Sequence, residues 1–244
     1  MKTLVIIPSR LSASRLPGKP LLKINGLSII SHVYKKAQEA DIGEVFVAAE
    51  DQEIVEDVRK NGGDAILTSN KHKTGTDRIY EAFVKLGRTD IELVMNLQGD
   101  EPLMNIYDIQ NLNSNMINDK RDLGTLAAKI NDKKAFENQN IVKVITKESL
   151  DNSKFPQALN FTRKLDKDNN QSYHHLGIYC YNVEILKRFI SFKQSQNEIK
   201  NKLEQLRALD NNININVALA KSSPIGVDTE EDFMAIKKIM EYKS

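Results

Sequence analysis

A basic segment of the chain has the composition of an anion-binding loop. PSRLSASRLPGKP, residues 8–20, carries Arg10, Arg15 and Lys19 together with the hydroxyl of Ser14, and its prolines prevent a regular helix. Guanidinium, ammonium and free backbone N–H groups bind anions with several oxygens, and a triphosphate fits best. The segment matches neither GxxxxGK[ST] nor GxGxxG. The alternative is a solvated basic loop.

Two acidic turns have the chemistry of a cation site. Residues 96–102, NLQGDEP, place Asp100 directly after an apolar run, and Asp228 lies in GVDT before the last helical pattern. Carboxylate oxygens suit Mg²⁺, which also takes phosphate oxygens from a substrate. We therefore expect Asp100 and Asp228 to hold Mg²⁺. The alternatives are a turn carboxylate for Asp100 and a helix-capping role beside Thr229 for Asp228.

The segment HKTGTDR, residues 72–78, leads into a helical pattern. Thr74, Gly75 and Thr76 offer backbone N–H and hydroxyl groups to a ribose or a base. Arg78 has the alternative of being an ordinary residue of the first helical turn.

The aromatic segment HHLGIYCY, residues 174–181, is predicted to be a strand, in which successive side chains point to opposite faces. Its period places His175, Tyr179 and Tyr181 on one face. Without other information this pattern is equally consistent with a sheet-facing aromatic stripe.

The segment LEQLR, residues 203–207, is predicted to be helical. Leu203 and Leu206 are expected in the core. The polar residues Glu204, Gln205 and Arg207 are then expected outside it, and a solvated helix face is the default for them.

Strand and helix patterns alternate through the first hundred residues, which indicates an α/β domain with a mostly parallel, doubly wound sheet. Ligands of such sheets bind at the carboxyl ends of the strands, where the basic and acidic segments fall. The predicted strands are Leu4–Ile7, stopped by Pro8, then Val45–Ala49, Ala65–Leu67 and Leu93–Leu97; the helices begin at Ser28, near Ile54 and after Thr76.

The second half of the chain is less regular, and it contains a polar loop at residues 164–172. Nothing in it is typical of a linker, so we expect a single domain over residues 1–244. The predicted strands are Leu126–Ile130, Val142–Thr146, His175–Tyr181 and a half-exposed strand over Ile213–Leu219; the predicted helices are Glu184–Phe189, Glu198–Leu209 and one capped by Thr229.

Composition excludes several classes of protein. The chain has 244 residues with 40% hydrophobic and 28% charged side chains, enough for a sizeable core. Its net charge of +2 argues against a nucleic-acid binder. No apolar run approaches the roughly 18–20 residues of a membrane span. The N-terminal apolar run is too short for a secretory signal and Cys180 has no disulfide partner, so we expect a cytoplasmic protein.

Taken together, the motifs resemble those of the 3-deoxy-manno-octulosonate (Kdo) cytidylyltransferases. The resemblance runs from residue 4 to about residue 240, and HLGIY with LEQLR distinguishes the Kdo branch from other sugar-acid cytidylyltransferases. It implies that CTP and Kdo give CMP-Kdo and pyrophosphate with Mg²⁺, for lipopolysaccharide synthesis, in a homodimer that has a smaller sugar-side and dimerisation subregion. The motifs are PSRLSASRLPGKPL, HKTGTDR, NLQGDEP, HHLGIYCY, KLEQLRAL and GVDTEEDF.

The resemblance also assigns roles to individual residues. It implies that the basic loop holds the triphosphate and that Asp100 and Asp228 carry Mg²⁺. The remaining substrate contacts that it implies are Ser14, Thr74, Gly75 and Arg78 for the nucleotide, Gln98 for the sugar or the nucleotide near the reacting centre, His175, Tyr179, Glu204 and Gln205 for the sugar hydroxyls, and Arg163 for the sugar carboxylate.

The sequence departs from the family pattern at three places relevant to the site. Ser9 replaces a usual Ala, Ala49-Glu50-Asp51 replaces a usual Thr-Asp-Asp, and the segment after Arg163 is short. The alternatives are therefore a cytidylyltransferase for a related acid, such as 8-amino-Kdo or a sialic-type acid, and a nucleotide-binding module without catalysis. Two candidate metal ligands argue against the second alternative.

Overall fold

The structure is a computed structural model that describes residues 1–12, 15–130, 133–165, 170–223 and 225–242. Strands and helices alternate along the chain, as predicted. The strands are β1 (Thr3–Ser9), β2 (Lys23–Ile24), β3 (Leu27–Ser28), β4 (Gly43–Ala49), β5 (Ala65–Leu67), β6 (Leu93–Asn96), β7 (Leu123–Ala128), β8 (Lys143–Thr146), β9 (Ala158–Thr162), β10 (Ser172–Asn182) and β11 (Ile215–Leu219). The helices are α1 (Ile29–Glu39), α2 (Gln52–Lys60), α3 (Gly75–Leu86), α4 (Ile106–Asp119), α5 (Lys133–Glu137), α6 (Val183–Ser191), α7 (Gln196–Asn201), α8 (Leu206–Asp210) and α9 (Glu230–Tyr242), with a 3₁₀ turn at Lys19–Leu21.

The chain divides into two compact units. The first unit comprises Lys2–Ile91, Met95–Ile106 and Pro224–Ser244, and the second comprises Met1, Glu92–Val94 and Tyr107–Ser223.

The first unit is built on parallel strands. β1 pairs with β4 in the register Val5↔Val45, and β4 pairs with β5. All side chains from Leu4 to Ile7 are fully buried, as expected for a strand covered on both faces. Contrary to the prediction, Pro8 does not end β1, which continues to Ser9 in register with β4. The proline removes one N–H donor without ending the strand.

Helix caps in the first unit fix where the site residues lie. Ser28 and Thr74 cap α1 and α3 by accepting the N–H groups of Ser31 and Asp77, each at 3.2 Å. The start predicted after Thr76 was therefore two residues late, since the hydroxyl of Thr74 satisfies an N–H that would otherwise be unpaired. Thr229 caps α9 as predicted.

The second unit combines antiparallel and parallel pairing. β10 pairs antiparallel with β7 and β8, and β11 pairs in parallel with β7 in the register Val217↔Thr125. The β10–β7 register shifts between Leu176 and Tyr179. With the parallel strands of the first unit, this confirms the predicted α/β class with a mostly parallel sheet.

Two predicted elements of the second unit are wrong in detail. β11 is buried along almost its whole length rather than half exposed, because Asn216 donates to the Phe155 carbonyl at 2.8 Å instead of facing water. The helix predicted over Glu198–Leu209 is two short helices, because Lys202 takes a left-handed conformation with φ of 54° and ends α7.

Candidate functional site

A cavity of about 350 Å³ lies in the first unit at the carboxyl ends of its strands. It is lined by residues that follow β1 and β6, by the N-terminus of α3, and by the turn before α9. The structure brings together nine of the predicted site residues here: Arg10, Arg15, Lys19, Thr74, Gly75, Arg78, Gln98, Asp100 and Asp228.

Lys19 joins the two predicted metal ligands. Its Nζ donates to Asp100 Oδ2 at 2.5 Å, to the Val227 carbonyl at 2.8 Å and to Asp228 Oδ1 at 3.1 Å. Burial alone would lower the pKa of Lys19, but the charges and hydrogen bonds of Asp100 and Asp228 outweigh it and raise the pKa. The turn after β6 and the turn before α9 therefore bring two carboxylates, far apart in sequence, to one ammonium group.

Arg15 adds a second cation to this cluster. Its Nη2 lies 2.8 Å from Asp228 Oδ2, and both side chains are about half exposed. An ion pair at this exposure contributes at most about 1 kcal/mol and exchanges partners readily. Without a ligand, Lys19 and Arg15 thus balance the charges of Asp100 and Asp228.

Glu101 is a neutral carboxyl group beside the cluster. Burial, followed by the charges of Asp100 and Asp228, raises the pKa of Glu101 to about 8. Its side chain is therefore mostly protonated at neutral pH and adds little negative charge.

The glycines at the floor of the cavity allow a close approach to Pro8. A Cβ atom at Gly99 would lie 2.8 Å from the Pro8 carbonyl oxygen and 3.3 Å from Ile30 Cδ1. A Cβ atom at Gly75 would lie 3.4 Å from Pro8 Cγ. Backbone rather than side chain therefore forms this part of the surface.

The N-terminus of α3 supplies polar groups to one wall of the cavity. Thr74 and Gly75 both line the cavity, and the free N–H groups of a helix start favour anionic or electron-rich ligand atoms. Arg78 also lines the cavity, but its guanidinium is held by Glu50 and by Thr68.

His72 lines the cavity too, although nothing in the sequence pattern predicts a role for it. Its Nε2 contacts Glu81 Oε2. Burial would raise the pKa of Glu81, but hydrogen bonds from Lys85, the Ser69 N–H and His72 lower that pKa to about 2. The sequence signal that points to this contact is the spacing of Glu81. It lies two helical turns after Thr74, the cap of α3, and on the same helix face as Arg78.

In the sequence, Glu50 and Asp51 stand out only as part of a departure from the family pattern. Both directly follow β4, and both accept hydrogen bonds from residues that follow β1. The rule that selected Asp100, a carboxylate at the carboxyl end of a strand, applies equally to them.

The predicted sugar-side residues lie in the second unit. His175 is buried, its Nε2 is 3.0 Å from Thr125 Oγ1, and its ring contacts Phe161 and Tyr179. Tyr179 in turn contacts Tyr181, so the predicted common face of these rings is confirmed.

His175 and Tyr179 are uncharged groups. Burial, and then His174, lowers the pKa of His175 to about 3. Burial, and then Tyr181 and Glu204, raises the pKa of Tyr179 well above its ordinary value. Neutral imidazole and phenol groups both donate and accept hydrogen bonds, as the hydroxyls of a sugar do.

The segment LEQLR is not the solvated helix face that was the default expectation. Leu203 and Leu206 are buried as predicted, but Gln205 and Arg207 are buried as well. Arg207 Nη2 and Nε donate to the two oxygens of Glu198 at 2.5 and 2.8 Å. A buried bidentate partner nine residues earlier explains why Arg207 does not face water.

One predicted residue is held by backbone carbonyls, and another lies outside the described residues. The Arg163 guanidinium donates to the carbonyls of Gln139 and Asn140, at 3.3 and 3.4 Å. Ser14 lies outside the described residues, as do residues 166–169 of the polar loop.

The chemistry of the Asp100–Lys19–Asp228 cluster fits a hard cation. Oxygens of both carboxylates lie within 3.1 Å of one positively charged atom. Among the described residues, no group of three or more His, Cys, Asp or Glu side chains could hold a metal ion. A Mg²⁺ ion here would take its remaining ligands from water and substrate phosphate, as is usual.

Within the residues that the structure describes, no helix is long and apolar enough to cross a membrane.

Known proteins share this fold. A solved structure of CMP:2-keto-3-deoxy-manno-octonic acid synthetase complexed with CTP has a TM-score of 0.90 and 34% identity, with 100% of both chains covered. A UDP-glucose pyrophosphorylase complexed with UDP-glucose has a TM-score of 0.73 at 14% identity, which shows the fold alone.

Sequence comparison identifies the family. The family described as Cytidylyltransferase matches residues 4–215. The 3-deoxy-manno-octulosonate cytidylyltransferase of Afipia carboxidovorans is 42% identical over 240 residues, covering 98% of this chain and 96% of the relative. The protein of the same name from Thermodesulfovibrio yellowstonii is 42% identical over 257 residues, covering 98% of both chains. With this identity over nearly its whole length, the chain belongs to the 3-deoxy-manno-octulosonate cytidylyltransferase family.

Proposed function

We propose that this protein transfers a cytidylyl group from CTP to Kdo, giving CMP-Kdo and pyrophosphate. The observation that carries the proposal is the Asp100–Lys19–Asp228 cluster in a cavity lined by further cations. The names of the relatives, and the CTP complex of the similar structure, support both substrates.

The reaction is a displacement at phosphorus. The anomeric hydroxyl oxygen of the sugar attacks the α-phosphorus of CTP, and a new O–P bond forms. The bond from the α-phosphorus to the oxygen bridging to the β-phosphate breaks, so pyrophosphate leaves with that electron pair, and the hydroxyl proton passes to water. Such transfers depend on positioning and charge neutralisation more than on covalent help.

The basic loop neutralises the triphosphate in this proposal. Arg10, Arg15 and Lys19 contact its oxygens, and Lys19 and Arg15 exchange carboxylate partners for phosphate partners as CTP binds. This exchange leaves Asp100 and Asp228 facing the reacting phosphate.

We propose Mg²⁺ as the cofactor, with Asp100 and Asp228 as its protein ligands. When bound, Mg²⁺ would withdraw charge from the phosphate oxygens. Asp100 and Asp228 orient toward one point before any ligand arrives, because Lys19 holds oxygens of both.

The other side chains of the cavity orient the nucleotide. Thr74 and Gly75 offer the N-terminus of α3 to the nucleoside, and Gln98 hydrogen-bonds near the reacting centre. Ser14 belongs to the same assignment through its place in the basic loop.

We assign recognition of the sugar acid to the second unit. His175, Tyr179, Glu204 and Gln205 hydrogen-bond the hydroxyls, and Arg163 pairs with the carboxylate, for which a guanidinium fork is suited. Glu204→Ala should raise the KM for Kdo and lower turnover, while CTP binding without sugar stays nearly normal. If the dependence on Kdo does not change, this assignment is wrong.

We also propose that the enzyme is a cytoplasmic homodimer whose product serves lipopolysaccharide synthesis. The family pattern of the motifs supports this. Light scattering of the purified chain measures the dimer directly, and a monomer at working concentration would contradict it.

Pyrophosphate release tests the reaction. With Kdo and Mg²⁺, release should be strong with CTP and far weaker with ATP or GTP, and equal rates with ATP would refute the assignment. A panel containing 8-amino-Kdo and a sialic-type acid tests the sugar. Binding of CTP without release on any sugar acid would instead favour a nucleotide-binding module.

A further inference from the structure

Two carboxylates after β4 hold the start of the basic loop. Glu50 Oε1 accepts a hydrogen bond from the Ser12 hydroxyl at 3.1 Å, and Asp51 Oδ2 accepts the Leu11 N–H at 2.7 Å. Both donors lie one or two residues beyond Arg10, which lines the cavity. The position of the basic loop therefore depends on side chains outside it.

The second oxygen of Glu50 binds the opposite wall. Arg78 Nη2 donates to Glu50 Oε2, while Nη1 donates to Thr68 Oγ1 at 2.9 Å and approaches the Ser69 carbonyl at 3.4 Å. The side chains of Arg78 and Glu50 are only 4% and 10% exposed. Most of the hydrogen-bonding capacity of this guanidinium is thus used inside the protein.

Glu50 consequently connects three segments of the first unit. It follows β4, it holds the loop after β1 through Ser12, and it holds α3 through Arg78. Thr68 completes the connection, since its hydroxyl donates to the Ala49 carbonyl at 3.0 Å. A binding wall fixed in this way loses little conformational freedom when its ligand arrives.

We propose that Glu50 is a positioning residue for nucleotide binding and that Arg78 acts through Glu50 rather than as a ligand of the phosphates. The inference rests on the proposed function, because CTP is the ligand whose binding it explains. In this proposal the charge of Arg78 is balanced by Glu50, and the basic loop alone neutralises the triphosphate.

Calorimetric titration of the whole chain with CTP and Mg²⁺, without Kdo, tests this. Glu50→Gln removes the charge but keeps the shape, and it should weaken CTP binding about 10- to 100-fold, the effect of losing charge-assisted hydrogen bonds. Turnover at saturating CTP should change by less than about threefold. Glu50→Asp should restore most of the affinity. Glu53→Gln, the same change at an exposed position of α2, is the matched control and should bind normally.

Ser12→Ala separates the loop contact from the buried pair. Ser12 is exposed, so the variant should fold normally, and it should weaken CTP binding about three- to tenfold. Adding Arg78→Gln to Glu50→Gln should cause no further loss, because both residues act through one pair.

Three results would overturn the inference. The first is that Glu50→Gln binds CTP as tightly as the unaltered chain, or more tightly. The second is that adding Arg78→Gln to this variant lowers the affinity for CTP by its full separate effect. The third is that Ser12→Ala binds CTP normally. The second result would make Arg78 a direct ligand, and the first or the third would exclude the positioning role of Glu50. An unaltered chain that fails to bind CTP would refute the proposed function instead, so the two failures are distinguishable.

Discussion

Acidification should destabilise the second unit, because His175 has to remain uncharged inside it. The side chain is 7% exposed, its ring lies 4.9 Å from that of Phe161, and its Nε2 is 3.0 Å from Thr125 Oγ1. Burial, and then His174, lowers the pKa of His175 from 6.5 to about 3. In the unfolded chain the same imidazole would titrate near its ordinary value.

The sign and size of the effect follow from proton linkage. Between pH 6.5 and about 3 the unfolded chain binds a proton at this position and the folded chain does not, so stability falls as pH falls. The contribution of His175 is fully present above pH 6.5. Relative to pH 8, about 2 kcal/mol is lost at pH 5 and about 3 kcal/mol at pH 4.

Urea unfolding at pH 8, 6, 5 and 4 measures this loss. The chain has no tryptophan, so circular dichroism is the suitable signal. His175→Gln replaces the imidazole with a group that does not titrate. Whatever its stability at pH 8, this variant should lose about 2 kcal/mol less than the unaltered chain between pH 8 and 5.

Thr125→Val is the matched control for this experiment. It removes the hydroxyl next to His175 Nε2 but keeps the imidazole, so it should lower stability at pH 8 and retain the acid-dependent loss. If the unaltered chain and His175→Gln lose stability in parallel between pH 8 and 5, His175 is not a buried neutral group.

Three further predictions concern the two ionic clusters. Asp100→Ala or Asp228→Ala should lower turnover by orders of magnitude at limiting Mg²⁺ with an unchanged circular dichroism spectrum, and near-normal turnover in either would exclude that residue as a ligand. Lys19→Met should lower turnover about 10- to 150-fold in a pyrophosphate-release assay, since it removes charge-assisted contacts of about 1.5–3 kcal/mol; weaker CTP binding with unchanged turnover would limit Lys19 to ground-state binding. Glu198→Gln should destabilise the fold by about 3–5 kcal/mol in urea unfolding, because it leaves Arg207 as a buried cation without its charged partner; a loss below about 1 kcal/mol would contradict the buried pair.

Periodicity predicted the parts of the fold whose interactions are local. The buried face of α1 is an example, since Ile29, Ile30, Val33, Tyr34 and Ala37 share it in the sequence pattern and in the structure. The strand-end rule likewise predicted the place of Asp100 after β6, whereas Asp228, which Lys19 joins to it, directly follows no described strand. Both predictions need only the order of elements and a known sheet geometry.

Interactions that depend on a particular long-range contact were not predictable in this way. Glu50 and Arg78 look like ordinary surface residues until β4 and α3 are adjacent. The break at Lys202 was equally hidden, because a lysine gives no signal of left-handed backbone. Arg207 was expected at the surface for the same reason, since only the fold brings Glu198 to it.

The backbone floor around Pro8 limits how the nucleotide preference of this protein could be redesigned. A methyl group at Gly99 would press against the Pro8 carbonyl oxygen, and one at Gly75 would reach van der Waals contact with the Pro8 ring. A directed-evolution library therefore gains nothing from randomising these glycines, and it cannot enlarge the cavity from below by trimming a side chain. Room for a purine has to come from the walls, where His72 presents a side chain that can be shortened, whereas Thr74 has to keep its hydroxyl as the cap of α3.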